Sequence, residues 1–335
     1  MRIVVFGAGA VGSTLGGLLA LNNRDVLLVS RKSHSEAIRS QKGLRIKSGT
    51  GDYFASLKST DKLNAKLLEG DCCIFFTPKS NDTRKCVEKL SKVAPKDIPV
   101  ISFQNGIANE DIIAEKFSNV YGGVCKMTCS FLQPGHVSFR RIGRLIIGKH
   151  PKGSDAFTRL LLNMLSEAGF RAAVSRSIAC DKWLKLAANL QSTIHAIIDN
   201  RDHDSPEFTA LKLGLVEEAK KVFKLHKIKA KPCDAQEMSL DEMISELKKP
   251  KAPRAGPAVR VHNSTWQNLY LKRKQIENGF FHGPVIYLAR ESGTPVPFNE
   301  VALEMVTKSH TEELGPEAFR AAEVLEMVKN RVDKK

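Results

Sequence analysis

Met1-Arg2-Ile3-Val4-Val5-Phe6-Gly7-Ala8-Gly9-Ala10-Val11-Gly12 is the stretch on which the reading of this chain turns. The run Arg2–Phe6, apolar and rich in β-branched residues, predicts a buried strand, and a G-x-G-x-x-G pattern follows it at once. Val11, Leu15, Leu18 and Leu19 then recur at helical spacing. Strand, glycine turn and helix in that order suit a dinucleotide pyrophosphate. Gly7 makes the tight turn, Gly9 admits the phosphates close to the backbone, and Gly12 lets helix and strand pack closely. The anion then rests on the first N–H groups and the positive dipole end of the helix. Gly7, Ala8, Gly9, Ala10, Val11 and Gly12 are therefore assigned to cofactor binding.

The end of the second strand discriminates between dinucleotides. An NAD site carries an acidic residue there for the ribose 2′-hydroxyl. This chain reads Leu28-Val29-Ser30-Arg31-Lys32, with no carboxylate before Glu36. Arg31 offers a planar fork suited to a 2′-phosphate and Lys32 a second positive charge, so NADPH/NADP is expected. The other reading of the same residues is a solvated basic turn.

Outward from that start the first half alternates. Apolar runs (Arg2–Phe6, Asp25–Val29, Asp71–Phe76, Pro99–Ser102) are separated by helix-like stretches (Val11–Leu21, Ser35–Gln41, Asp82–Leu90, Asn109–Phe117). That rhythm predicts βαβ units on a parallel sheet. Val137–Arg140 and Arg144–Ile147, separated by Ile142-Gly143, predict a hairpin closing the sheet. From about residue 153 the pattern is helical. Ser205-Pro206-Glu207 predicts a capped helix start with a helix to about Lys224, and Ser239-x-x-Glu242 a capping box. Gly293 ends a helix before Thr294-Pro295-Val296-Pro297, and a last helix is expected near Pro316–Val332. Lys248–Pro257, with three prolines and a glycine, is expected to be a mobile loop. The expected fold class is α/β: a Rossmann-type dinucleotide-binding domain over residues 1–170, followed by an all-helical domain over 171–335.

Composition narrows the class. The chain has 335 residues, 42% hydrophobic and 26% charged, which fits about two soluble globular domains and excludes collagen-like or bulk-disordered chains. No apolar run approaches the ~20 residues of a membrane-spanning helix, and no signal peptide is read at the start. Seven cysteines, an odd set without C-x-x-C, argue against a disulfide framework or a zinc site and for a reducing, cytoplasmic setting. No metal is expected. The net charge is +16, and residues 1–150 hold 23 Lys and Arg against 12 Asp and Glu. The excess serves solubility or attracts an anionic, phosphate-bearing ligand. No basic tract interleaved with aromatics points to nucleic acid. Lys220, Lys221, Lys224, Lys227, Lys229 and Lys231 read as a solvated helix face.

Trp183–Ile194 predicts the helix that bears chemistry. Lys185, Asn189 and Thr193 recur at i, i+4 and i+8 and are expected to share one side, with Leu184, Leu186, Ala187, Leu190 and Ile194 around them. A lysine in apolar company either sends its head to water or faces a cleft as a proton donor, Asn and Thr then reading substrate oxygens. Lys79 and Asn105 directly follow two predicted parallel strands, whose carboxyl ends face the ligand crevice. They are placed for the nicotinamide end of the cofactor or the substrate, although Asn105-Gly106 is equally a plain turn.

Together these motifs resemble the ketopantoate reductase (2-dehydropantoate 2-reductase) family over essentially the whole chain. The matching elements are the N-terminal G-x-G-x-x-G with a basic residue after the second strand, Lys79, and the Gln-Asn-Gly segment around Asn105. W-x-K-x-x-x-N (Trp183, Lys185, Asn189) and S-x-x-Q (Ser264, Gln267) follow in order. Glu277 matches if one extra residue is allowed after Ser264, an alignment supported by Gly283 and Gly293-Thr294-Pro295-Val296-Pro297. The resemblance implies NADPH-dependent reduction of ketopantoate to D-pantoate, a step toward pantothenate and coenzyme A. It implies Lys185 as general acid and Glu277 as the residue that binds the substrate hydroxyl or orients that lysine. Asn189 and Ser264 would hold the substrate, and Asn105 and Lys79 would border the nicotinamide. Thr193 stands where the family commonly has a second asparagine, so another 2-keto acid, bulkier than ketopantoate or lacking its hydroxyl, is the alternative, and the stretch before Ser264 that holds Arg260 and His262 is one that could reshape the same pocket. A non-catalytic NADPH-binding regulator, the alternative of a different class, would be expected to lack Lys185 or Glu277. The partner expected is a small 2-keto acid, with the helical domain offering a surface for a homodimer.

Overall fold

The computed structural model of the chain describes residues 1–249 and 262–333. Residues 250–257 of the expected mobile loop, and Arg260, lie outside the described residues. The chain divides into two compact units, Met1–Lys182 and Trp183–Lys335.

The first unit runs β1 (Arg2–Phe6), α1 (Ala10–Leu21), β2 (Val26–Val29), α2 (Lys32–Ser40), β3 (Leu44–Ser48), β4 (Gly51–Ala55), β5 (Lys58–Thr60), β6 (Cys72–Phe76), α3 (Thr83–Leu90), β7 (Val100–Ser102), α4 (Asn109–Ala114), β8 (Val120–Gln133), β9 (His136–Lys149), α5 (Ala156–Glu167) and β10 (Ala172–Val174). Its strands form one sheet in the order β4-β3-β9-β8-β7-β6-β1-β2-β5, with β10 on β9. The strands from β8 through β7, β6, β1 and β2 to β5 are parallel, while β3·β4 and β8·β9 are antiparallel. Alternation along the strands sorts side chains to two faces. Ile3, Val5, Leu28 and Phe75 pack with Leu15, Leu19, Leu161 and Leu165 on one face. Val4, Leu27, Ile74 and Phe76 pack with Val87, Leu90 and Ile113 on the other. Each such buried side chain contributes about 1.5–3 kcal/mol. Both faces are therefore covered by helices, as a central parallel sheet requires.

The expected hairpin at Ile142-Gly143 differs in the structure. β9 runs unbroken through it and pairs with β8, and the turn lies at Pro134-Gly135, where Gly135 has φ +78°. Gly143 instead marks a bulge. The register shifts between Cys125 and Met127, and a Cβ on Gly143 would meet Lys126 Cβ at 2.9 Å.

α6 (Ile178–Ile197) begins in the first unit and continues into the second, which is otherwise α7 (Pro206–Leu225), α8 (Leu240–Lys248), α9 (Ser264–Tyr270), α10 (Gly279–Glu291), α11 (Pro297–Thr311) and α12 (Ala321–Asp333). The second unit is helical over its described residues, so the chain is an α/β Rossmann-type domain followed by a helical one. The helix starts follow the caps read in the sequence. Ser205 accepts from Phe208 N–H, and Ser239 and Glu242 form a reciprocal box. α7 packs against α8, α10, α11 and α12. A Cβ at Gly214 on α7 would collide with the Phe298 ring at 2.4 to 2.5 Å, so a glycine lets α11 approach.

Candidate active site

β1, β6 and β7 lie side by side and parallel, so Gly7, Thr77 and Phe103 emerge at the same edge of the sheet. β1 sends the chain through α1 to β2 on one side, and β6 sends it through α3 to β7 on the other. The carboxyl ends of β1 and β6 are thus the point of reversal at which open α/β sheets take ligands. Gly7 N–H and Ala8 N–H both donate to Val29 O (3.0 and 2.9 Å), and Gly9 N–H donates to Gly7 O (2.7 Å), which winds the turn tightly.

The three glycines answer to different demands. Gly7 has φ +89°, and a Cβ there would meet Pro78 N at 2.6 Å. At Gly12 a Cβ would meet Val5 at 2.9 Å, so helix α1 can lie this close to β1 only without a side chain. At Gly9 the nearest atom would be Gly7 O at 3.9 Å. The protein itself does not require Gly9; the space in front of it is a cradle that a side chain would fill. α1 begins there with no side-chain cap and no acidic residue in its first turn. These residues fit a dinucleotide pyrophosphate.

Two loops flank the cradle. The Gln104 amide Nε2 donates to Pro78 O (2.9 Å) and Thr83 Oγ1 (2.8 Å). Ser80 Oγ and Asn109 Nδ2 both donate to Asn105 O (2.9 and 2.7 Å). Gly106 has φ +85°, so the backbone bends at Asn105-Gly106, and this bend is pinned to the loop after β6. Asn105 is half-buried and Lys79 exposed on this rim. Arg31, the residue before α2, is exposed and forms no ion pair among the described residues. Lys32, also exposed, lies 3.9 Å from Glu36. Sequence reading quoted Gln104 only as part of a motif, and missed Thr83 and Asn109, buried polar residues that shape this rim with it, and the buried Lys182–Glu110 ion pair beside them. The available signal was a set of polar residues at the ends of apolar runs.

In the second unit Lys185 and Asn189 are half-buried on α6, Ser264 is exposed at the start of α9, and Glu277 is half-buried just before α10. Thr193 differs from expectation. It is fully buried, accepts from Asn278 Nδ2 (2.7 Å) and lies 2.8 Å from His282 Nε2. The reason is helical geometry: each i+4 step overshoots a full turn by about 40°, so Thr193 sits about 80° around the helix from Lys185. It rolls into the core while Lys185 stays at the margin. His282 is likewise buried, and burial lowers its pKa to about 4. Among the described residues no group of three or more His, Cys, Asp or Glu is arranged to hold a metal ion, and no helix is long and apolar enough to cross a membrane.

Comparison with known proteins gives a consistent family. The model of the family described as Ketopantoate reductase PanE/ApbA matches residues 3–152, and that of its C-terminal part matches residues 177–310. A 2-dehydropantoate 2-reductase of Pyrococcus horikoshii is 30% identical over 303 residues, covering 89% of this chain and 94% of the relative. One from Pyrococcus abyssi is 33% identical over 189 residues, 56% of this chain and 61% of the relative. Among solved structures, a PanE/ApbA family ketopantoate reductase from Ralstonia eutropha JMP134 superposes with a TM-score of 0.77 at 25% identity, over 93% of this chain and 99% of that one. D-mandelate dehydrogenase with NADH and anilino(oxo)acetate superposes with a TM-score of 0.79 at 23% identity, over 94% and 100% of the two chains, and shares the fold.

Proposed function

The chain belongs to the ketopantoate reductase family of dinucleotide-binding reductases, and on that premise we propose that it reduces ketopantoate to D-pantoate with NADPH. The reaction is a cytoplasmic step toward pantothenate and coenzyme A. The nicotinamide supplies a hydride to the keto carbon when the coenzyme is bound. The chain's own residues do the rest. The Gly7–Gly12 turn and the start of α1 hold the pyrophosphate, Arg31 grips the 2′-phosphate with Lys32 adding charge, and Asn105 and Lys79 border the nicotinamide. Asn189 and Ser264 hold the substrate, and Glu277 binds its hydroxyl or orients Lys185. As negative charge builds on the carbonyl oxygen, the Lys185 ammonium stabilises it and donates the proton.

The observation that carries this reading is the cradle at Gly9, open to a ligand in a chain whose other two motif glycines are demanded by its own packing. A second reading, reduction of a different 2-keto acid, is favoured by Thr193. Its hydroxyl is engaged by Asn278 and His282 inside the unit, where the family's amide would offer two N–H donors. The fold is neutral on the choice, since D-mandelate dehydrogenase shares it.

The test is NADPH oxidation against a panel of 2-keto acids that includes ketopantoate, bulkier analogues and analogues without its hydroxyl. Ketopantoate should give the highest kcat/KM, with NADPH preferred to NADH. A clear preference for another member of the panel would establish the second reading, and silence across the panel despite NADPH binding would make the chain a non-catalytic sensor.

A further inference from the structure

Asn278 directly precedes α10, where a helix-capping side chain belongs, yet it makes no side-chain cap hydrogen bond. Its side chain is fully buried and is used elsewhere. Nδ2 donates to Thr193 Oγ1 on α6 (2.7 Å) and to Thr265 Oγ1 on α9 (3.2 Å). One amide thus ties together three elements at the places where they carry candidate site residues. Asn278 follows Glu277, Thr265 follows Ser264, and Thr193 lies one turn beyond Asn189 and two beyond Lys185. Asn263 Nδ2 adds a bond to Ser192 O (2.8 Å), a second tie between the start of α9 and α6.

The chain of bonds continues and has a direction. His282 Nδ1 lies 3.0 Å from Asn299 Oδ1, and Asn299 Nδ2 donates to Glu218 Oε2 (2.8 Å) and Leu215 O (3.3 Å). Those two acceptors orient the Asn299 amide, so its Oδ1 faces His282 and His282 Nδ1 carries the proton. A neutral ring then accepts at Nε2. Thr193 must give its one hydroxyl proton to His282 and accept from Asn278. At the far end Glu218 also accepts Phe298 N–H and Asn299 N–H (2.9 Å each) at the start of α11. Asn278, Thr193, His282 and Asn299 are all fully buried and partnered, with the half-buried Glu218 at their end, and a fully satisfied buried polar chain rigidifies a core. An apolar core would hold these helices together equally well while leaving their rotation about their axes less tightly specified.

We propose that the Asn278–Thr193–His282–Asn299 chain is a positioning device that registers Glu277, Ser264 and the Lys185–Asn189 face of α6 for the reaction. Thr193 and His282 act through their neighbours and do not touch the substrate. The proposal rests on the reductase reading above. It also accounts for a threonine at this position: the site needs a single hydroxyl between an amide donor and an imidazole acceptor.

The experiment compares Thr193→Val, which keeps shape and removes the hydroxyl, with Thr193→Ser, which restores it. For T193V, kcat/KM with ketopantoate and NADPH should fall about 10- to 100-fold, as misplacement of reacting groups by an ångström does. The fold and the NADPH Kd should stay near wild type, and T193S should recover most of the rate. Amide hydrogen exchange in T193V should quicken over 264–270 and 279–285 and stay unchanged over 1–182. Wild-type kcat/KM in T193V, or a loss in T193S as large as in T193V, would overturn the proposal. Should T193V not fold, Thr193→Ala, which leaves room for a bridging water, takes its place in the same comparison. If the wild type reduces no 2-keto acid, the reductase reading fails by itself. The exchange arm then decides the coupling: quickened exchange confined to those two segments upholds it, and unchanged exchange removes it.

Discussion

A methyl group added at residue 9 would find its nearest neighbour at 3.9 Å, whereas one added at residue 7 would drive into Pro78. Two substitutions that look alike in sequence should therefore fail in different ways. Gly7→Ala, strained at φ +89°, should lose about 1–3 kcal/mol of stability in chemical denaturation. Gly9→Ala should melt like wild type and lose NADPH affinity by at least about tenfold, one lost close contact between backbone and phosphate. Equal stability losses in the two would contradict the division of roles. Arg31→Ala should weaken NADPH far more than NADH in titrations, because only the former offers a 2′-phosphate to the guanidinium. At this scale the glycines were legible because a strand, a tight turn and a helix start leave a fixed sequence pattern. The burial of Thr193 was not legible, because identity at i+8 hides a rotation of about 80° from two accumulated overshoots, and only the packed helix reveals which side the residue faces.

Glu218 joins α7 to the first turn of α11, and burial pushes its carboxyl up to about 7 from an ordinary 4.5. A carboxyl raised in the native state binds its proton more tightly than in the unfolded chain. Its stabilising contribution is full below pH 4.5 and is lost as pH rises through about 7. His282 and His34, lowered to about 4 by burial, act in the opposite sense, losing stability as pH falls from 6.5 through 4. Glu218→Gln should therefore leave the histidine slopes uncompensated, so that its stability climbs between pH 4 and 6.5. The wild-type advantage over E218Q should shrink from pH 4.5 to 7 by at most about 3 kcal/mol, read from urea melts at a series of pH values. A pH-independent difference would contradict the assignment. Lys182 at the start of α6 and Glu110 on α4 form an ion pair with 5% and 2% side-chain exposure. Lys182→Met should destabilise by about 3–5 kcal/mol, and Lys182→Met with Glu110→Gln by much less, because the single change strands a buried carboxylate.

The caps at Ser205 and Ser239 were legible in the sequence because capping is local chemistry. Strands β3 and β4 were not. Arg45, Lys47, Asp52, Tyr53 and Phe54 are exposed, so these strands near the sheet edge lack the continuous apolar run of the interior ones. Gly143 was read as a turn because a bulge and a turn use the same residue, and the partner strand decides between them.

Across the whole molecule, the alternation of strands and helices followed by helices alone was enough to foresee an α/β unit and a helical one. The long β8·β9 pairing was not foreseeable, since fourteen-residue strands interrupted by bulges mimic two short ones. The charge excess in the first 150 residues agrees with a unit built to receive a coenzyme rich in phosphate. The cradle at Gly9 and the lysine at residue 185 were both in view from the start, yet the buried chain from Asn278 to Asn299 was not, because its members are scattered between residues 193 and 299. Such a network exists only once the helices have packed.

The account depends most on Lys185 as the proton donor, and single-turnover and steady-state rates of Lys185→Ala with ketopantoate and NADPH test it most directly. The prediction is a fall in kcat of about 10²- to 10⁴-fold with the NADPH Kd near wild type. A variant that turns over at the wild-type rate would contradict it.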